Sequence, residues 1–154
     1  MYLFITTVFY ILLNKLIMVA YRMKSALVKI LWRQALKNLE VSEKLLEEGF
    51  YNFSAFHAHQ AAEYALKTAI VFLLRELPPK THFLPELLSA LQDEGIEVED
   101  IREDTLDLNL HYRISLDPEA LGGPPYETYS RRMGKLCLMW ARRILKWTEK
   151  HLQK

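Results

Sequence analysis

The sequence predicts an all-α fold, an up-and-down bundle of four to five helices with an additional apolar helix or segment at the N-terminus. Three observations lead there. Apolar residues recur three and four apart along most of the chain, the spacing at which side chains share one face of an α-helix. No segment alternates apolar and polar residues one by one, as a half-buried strand requires. A ladder of alanines, Ala55, Ala58, Ala62, Ala65 and Ala69, steps by three and four without a break, which at about 100° per residue keeps all of them in one narrow arc. Small side chains there let another helix approach closely, so the ladder is expected in the core.

The 154 residues, 51% of them apolar, suffice for one domain around one core. A first amphipathic helix is predicted over residues 24–48, with Trp32, Ala35, Leu36, Leu39, Leu45 and Leu46 at helical spacing and Gly49 as its stop. The turn through Gly49, Phe50 and Tyr51 is short, so the second helix, residues 52–76, returns antiparallel to the first. It ends before Pro78 and Pro79, because proline excludes its predecessor from helical geometry. Opposite its alanines lies a mixed face with Phe56, Gln60, Glu63 and Lys67. A short third helix over residues 81–91 tolerates Pro85 in its first turn, puts Leu84, Leu87, Leu88 and Leu91 on one face, and stops at Gly95. A fourth carries Val98, Ile101, Thr105, Leu108 and Tyr112 in step and opens with acidic residues that suit a helix start. Asp117 and Pro118, then Leu121, Gly122, Gly123, Pro124 and Pro125, form a stiff loop. The last helix is predicted over residues 127–152, with Met133, Leu136, Cys137, Trp140, Ile144 and Trp147 inward.

Residues 1–23 stand apart from this domain, which spans residues 24–154. From Tyr2 to Leu13 they are almost wholly apolar, and Asn14 and Lys15 interrupt before apolar character resumes at Leu16. A spanning helix wants roughly twenty apolar residues, and a lysine near its middle costs about 2.5 to 3.5 kcal/mol, which disfavours a membrane. A secretory signal would need a basic residue ahead of the apolar run and a small-x-small cleavage site behind it, and both are missing. Two readings stay open: a start codon placed too early, with Met18 or Met23 as the true first residue, and an extra helix or strand docked on the bundle or on a partner chain. The docked element, at a dimer contact, is the expectation.

The formal net charge of +1 supplies no global drive toward nucleic acid or acidic membranes, so such binding would have to come from local patterning. Cys137 is the only cysteine, flanked by Leu136 and Leu138, so an internal disulfide is excluded and a reducing, cytoplasmic setting fits. The five histidines and one cysteine show neither C-x-x-C nor H-E-x-x-H spacing, and His57 and His59, two apart, fall on nearly opposite sides of a helix. No metal or cofactor is expected.

Several separated pieces then occur together. Gly49-Phe50-Tyr51 is followed by Ala55-Phe56-His57-Ala58 and by Gln60-Ala61-Ala62-Glu63-Tyr64-Ala65-Leu66-Lys67. Thr81-His82 leads into a leucine-rich helix, and Gly122-Gly123-Pro124-Pro125-Tyr126 precedes the long last helix. Over about residues 30–150 this resembles the HEPN family in its minimal prokaryotic form. The resemblance implies a bundle of four or five helices, frequent homodimers, and pairing with a small nucleotidyltransferase as a toxin–antitoxin-like or nucleotide-binding unit. Gln60, Glu63, Lys67 and His82 carry the family signature. Other branches are metal-independent ribonucleases that join two R-x4-6-H motifs in a dimer. Two departures stand out. Where minimal members carry Arg-Tyr-Pro-Asp, this chain reads Leu116-Asp117-Pro118-Glu119, leaving Arg113 as the nearby arginine, and Arg113 has no histidine at the required spacing. Arg75 and His82 meet that spacing by letter, but Pro78 and Pro79 lie between them, ahead of the third helix, and the agreement reads as chance.

Metal-free RNA cleavage needs a group to take the 2′-hydroxyl proton and a cation beside the pentacoordinate phosphate. His111, Tyr112 and Arg113, at the end of the fourth helix, offer both types; the plainer role is to bond the last carbonyls and complement the helix dipole. Glu63 and Lys67 read as a helix-surface ion pair worth a few tenths of a kcal/mol, and His82, just after Thr81, as a cap of the third helix region. On the last helix Arg131, Arg132, Lys135, Arg142, Arg143, Lys146 and Lys150 fall within about 120°. Residues 93–107 are correspondingly acidic, with only Arg102 opposing. The stripe would contact phosphates, meet that acidic segment within the bundle or across a dimer, or stay solvated; such charge density also suits a heat-adapted protein.

The expectation is a non-catalytic, homodimeric HEPN-like module acting with a nucleotidyltransferase partner, with His111, Tyr112, Arg113, Arg131, Arg132 and Lys135 as nucleotide or RNA contacts. The alternatives are a metal-independent ribonuclease with an irregular Arg and His pair, and a membrane-tethered helical adaptor.

Overall fold

The computed structural model describes residues 2–153, with side chains from residue 10 onward, and this part of the chain is helical without a strand. Helix α1 spans Tyr2–Glu47. No glycine or proline occurs before Gly49, and Gly49, at φ +87°, ends the helix in the left-handed region that glycine adopts without steric cost. The Phe50 amide donates to the Leu45 carbonyl at 2.8 Å and the Gly49 amide to Leu46 at 3.3 Å, so the last carbonyls are satisfied in a Schellman turn. Helix α2, Tyr51–Ala69, continues into a wider π turn, Ile70–Leu74, closed by Arg75 at φ 60°. Helices α3, Leu84–Asp93, and α4, Glu99–Asn109, lead to three short turns, α5 (His111–Ile114), α6 (Pro118–Leu121) and α7 (Pro125–Thr128). The long α8, Arg131–Leu152, starts at Ser130, whose Oγ accepts the Met133 amide at 3.1 Å.

The all-α bundle agrees with expectation, and the boundaries differ for local reasons. The expected helix over residues 24–48 is the second half of an unbroken α1. The regular part of the second helix stops at Ala69 rather than residue 76. The third begins at Leu84, not residue 81, because Phe83 is extended and Pro85 sits in the first turn. The stiff loop holds α6 and α7, with Asp117 Oδ1 accepting the Glu119 and Ala120 amides as an N-cap ahead of Pro118. The last helix starts at Arg131 rather than residue 127.

Helix α2 lies at the centre, against α1 and α8 along its length and against α3, α4, α5 and α7 at its margins. Every alanine of the ladder is at most 1% exposed. The face of α1 toward it is Leu31, Ala35, Asn38 and Ser42, while Leu36, expected in that series, is exposed. The α1–α2 seam is partly polar and fully paired: Ser42 Oγ donates to the Ser54 carbonyl, and Ser54 Oγ to that of Ser42, each at 2.8 Å. At the start of α8, Gly134 allows close approach, since a Cβ there would come within 2.8 Å of Leu46 Cδ1.

The N-terminal segment continues α1, and residues 10–23 are all exposed; side chains before residue 10 lie outside the described part. Among the described residues no helix is long and apolar enough to cross a membrane.

Candidate functional site

The mixed face of α2 is covered, not solvated. Glu63 is 1% exposed, and its carboxylate joins two elements: Lys67 Nζ donates to Oε1 at 2.6 Å, and His82 Nδ1 lies 3.0 Å from Oε2. The expected surface ion pair is therefore a buried one, with His82 on the extended segment before α3 set against the Glu63 carboxylate. A carboxylate only accepts, so His82 presents its Nδ1 hydrogen to Glu63 and leaves Nε2 free at the surface. His82 does not cap α3. That role is divided between Thr81 Oγ1, which accepts the Phe83 amide at 3.0 Å, and Asn109 Oδ1, which accepts the Leu84 amide at 2.9 Å.

Tyr112 organises the rest. Its ring stacks on His82 with centroids 4.7 Å apart and planes 13° off parallel, and on Phe56 at 5.9 Å. His59 tilts against it at 5.1 Å. His82, Tyr112 and Arg113, with Thr81 and Asn109, line one open pocket of about 500 Å3. Arg113 Nε donates to Asp117 Oδ2 at 3.0 Å, and this bond, followed by the Ala120 amide, holds the Asp117 carboxyl below its usual range.

His111, expected beside Arg113 as a ligand contact, is 6% exposed and faces inward. Its Nδ1 lies 2.7 Å from the Tyr129 hydroxyl and its ring rests against Trp140, while burial lowers its pKa. Three successive residues on a helical turn point in different directions, so adjacency in sequence separated His111 from the surface that Tyr112 and Arg113 share. Arg75 and His82 also part: Arg75 lies over the rings of Tyr21 and Phe72, and His82 pairs with Glu63.

The basic stripe of α8 divides. Arg143 Nη1 meets Asp104 of the acidic segment at 3.1 Å, whereas Arg142 Nη2 meets Glu43 of α1 at 2.8 Å, so the middle of the stripe is paired within the bundle. Arg131, Arg132 and Lys135, with Leu136 and Met139, border a separate open groove at the start of α8, away from the His82 pocket. Cys137 is fully buried, and burial pushes its thiol up to about 12. Among the described residues no three His, Cys, Asp or Glu side chains gather closely enough to hold a metal ion.

Sequence reasoning missed His59 and Asp117. His59 is fully buried, both ring nitrogens and the Gln60 Oε1 lack hydrogen-bond partners, and burial, then the neighbouring His82 and His111, pull its pKa to about 3. No sequence signal marks it. Asp117 was legible as a cap, because Asp followed by Pro is a helix-start pattern.

A helical bundle with an alanine-lined central helix, a buried carboxylate bridging Lys67 and His82, and a short turn carrying Tyr112 and Arg113 can be compared with known proteins. The HEPN domain model matches residues 28–151, and the chain belongs to the HEPN domain family. A protein of known structure from Thermus thermophilus is 31% identical, over 80% of this chain and 96% of that one, with a TM-score of 0.73. An archaeal HEPN homologue is 29% identical over 80% and 96% of the two chains, with a TM-score of 0.67. A HEPN domain protein from Thermotoga maritima shares the fold at 24% identity, 80% and 98% coverage and a TM-score of 0.63. No curated protein matches.

Proposed function

We propose that this HEPN protein is a non-catalytic module that binds a nucleotide or RNA phosphate group in the His82, Tyr112 and Arg113 pocket, and that it works as a homodimer with a nucleotidyltransferase partner. The observation that carries the ligand assignment is one pocket lined by an exposed imidazole held by Glu63 and an exposed guanidinium. Arg113 is 74% exposed at its side chain and keeps donors beyond the one used on Asp117, as a phosphate contact needs. The partner and the dimer rest on family membership. Calorimetry of ATP and of a short single-stranded RNA tests the pocket: Arg113→Ala should weaken binding about tenfold, the scale of one charge-assisted contact. Arg132→Ala should leave it unchanged. Co-purification with a nucleotidyltransferase encoded alongside tests the partnership.

One observation favours a second reading. A carboxylate-oriented imidazole on the same pocket as an arginine is also the arrangement of a general base beside a phosphate-stabilising cation. A metal-independent ribonuclease would then use His82 and Arg113, not His111. RNA cleavage in the presence of chelator, lost in His82→Ala and retained in Tyr129→Phe, would establish it and displace the non-catalytic reading.

A further inference from the structure

The part of α1 ahead of the bundle takes no part in the proposed function, and its surface is unlike that of any other helix here. Residues 10–13, Tyr-Ile-Leu-Leu, are 42–65% exposed, and residues 16–19, Leu-Ile-Met-Val, are 53–66% exposed. Four consecutive residues at about 100° each go round the whole helix. The apolar surface is thus a sleeve and not a stripe. A stripe fits one partner helix, whereas a helix apolar on all sides belongs in an apolar medium, the core of a large protein or a bilayer.

Charge selects the bilayer. Lys15, Arg22, Lys24, Lys29, Arg33 and Lys37 all precede Glu40, the first acidic residue of the chain, although the whole protein carries a net charge of only +1. The fold adds another cation at the foot of the sleeve. The Arg75 guanidinium lies 5.4 Å over the Tyr21 ring, and the Arg75 carbonyl accepts from Lys24 Nζ. Arg22, Lys24 and Arg75 therefore form a basic collar around Tyr21 where the apolar stretch ends. Basic side chains and an aromatic ring at the edge of an apolar segment match the headgroup layer of an anionic leaflet. Beside the collar, Ile30 and Leu77, 63% and 72% exposed, border an open apolar groove.

Residues 10–21 rise about 18 Å, enough to carry the apolar surface past the headgroups into a hydrocarbon core of about 30 Å. Lys15 lies about 9 Å along the axis from Tyr21, near enough for its four-carbon stem to carry the ammonium back toward the headgroups.

We infer that α1 anchors the bundle to an anionic membrane surface, with the apolar sleeve in the lipid and Arg22, Lys24 and Arg75 among the headgroups. The anchor is independent of the nucleotide pocket, and either can fail alone. The test is co-sedimentation of the full chain with vesicles of phosphatidylcholine, with and without phosphatidylglycerol. Binding to the phosphatidylglycerol vesicles is expected to exceed binding to the neutral ones by about tenfold, and to weaken as salt is raised. The exposed pair Leu12→Glu and Leu16→Glu should reduce it by about tenfold or more with the thermal midpoint of the bundle unchanged, and Arg22→Glu should reduce the preference for phosphatidylglycerol. No partition into either vesicle, or partition that survives the double variant, overturns the anchor. Equal partition into both vesicles overturns the role of the collar. A full chain that ignores vesicles but falls from a larger assembly to a monomer on Leu12→Glu and Leu16→Glu overturns the proposal and assigns the sleeve to further copies of this chain.

Discussion

His82 Nδ1 lies 3.0 Å from Oε2 of Glu63, a residue 19 positions earlier in the chain. Through this contact a buried carboxylate on α2 fixes the tautomer and direction of an exposed imidazole on the segment before α3. Lys67 occupies the other oxygen of the same carboxylate, so the site and the packing of the central helix share one group.

Glu63→Gln removes the counter-charge from Lys67, whose side chain is only 13% exposed, and the acceptor from His82. Breaking one partner of a buried pair is costly because the other charge stays buried, and a loss of about 2 to 4 kcal/mol is expected in chemical denaturation. Adding Lys67→Met should recover more than half of it. A loss under about 0.5 kcal/mol, the scale of a surface pair, would contradict the burial seen here.

Stability should fall in mild acid. Unfolded histidine takes up its proton near pH 6.5 and folded His59 only near 3, so between these values the unfolded state binds more protons. The contribution of His59 is complete above pH 6.5 and declines by up to about 1.4 kcal/mol per pH unit below it. His111 is shifted the same way by burial and adds to the slope. Denaturant midpoints at pH 7.5 and 4.5 should differ clearly, and less so in His59→Leu; equal differences in the two proteins would refute the assignment.

Tyr129→Phe takes the hydroxyl from His111 Nδ1 and leaves a ring that is 6% exposed without its partner. The expected cost is about 1 to 2 kcal/mol of stability. Nucleotide affinity should not move, because His111 faces the core and not the pocket. A fall in affinity at unchanged stability would return His111 to the ligand site.

Cys137, fully buried with its thiol pKa raised to about 12, should resist thiol reagents in the folded protein and react at the rate at which the chain opens. Time courses with a chromogenic disulfide, in buffer and in denaturant, check this. Rapid labelling in buffer would mean that α8 detaches from α2.

Much of the fold was legible because helices and their apolar faces are local properties. The alanine ladder marked the central helix, Gly49 the turn after α1, and Asp117 with Pro118 offered a cap that the loop assignment passed over. Boundaries moved where long-range partners intervene. Leu84 opens α3 because Asn109, 25 residues later, takes its amide. Leu36 has helical spacing but turns to solvent, because the packing of α1 on α2 follows Leu31, Ala35, Asn38 and Ser42.

The candidate site divides along the same line. Sequence alone determined the helical class, the family and the identity of the chemically capable residues, since periodicity and motif spacing are written along the chain. Only tertiary structure decided which of them act together. It turned His111 inward toward Tyr129, buried Glu63 beneath His82, and paired Arg143 with Asp104. Burial and partnership arise from contacts between segments far apart in sequence, and side-chain chemistry follows from those contacts.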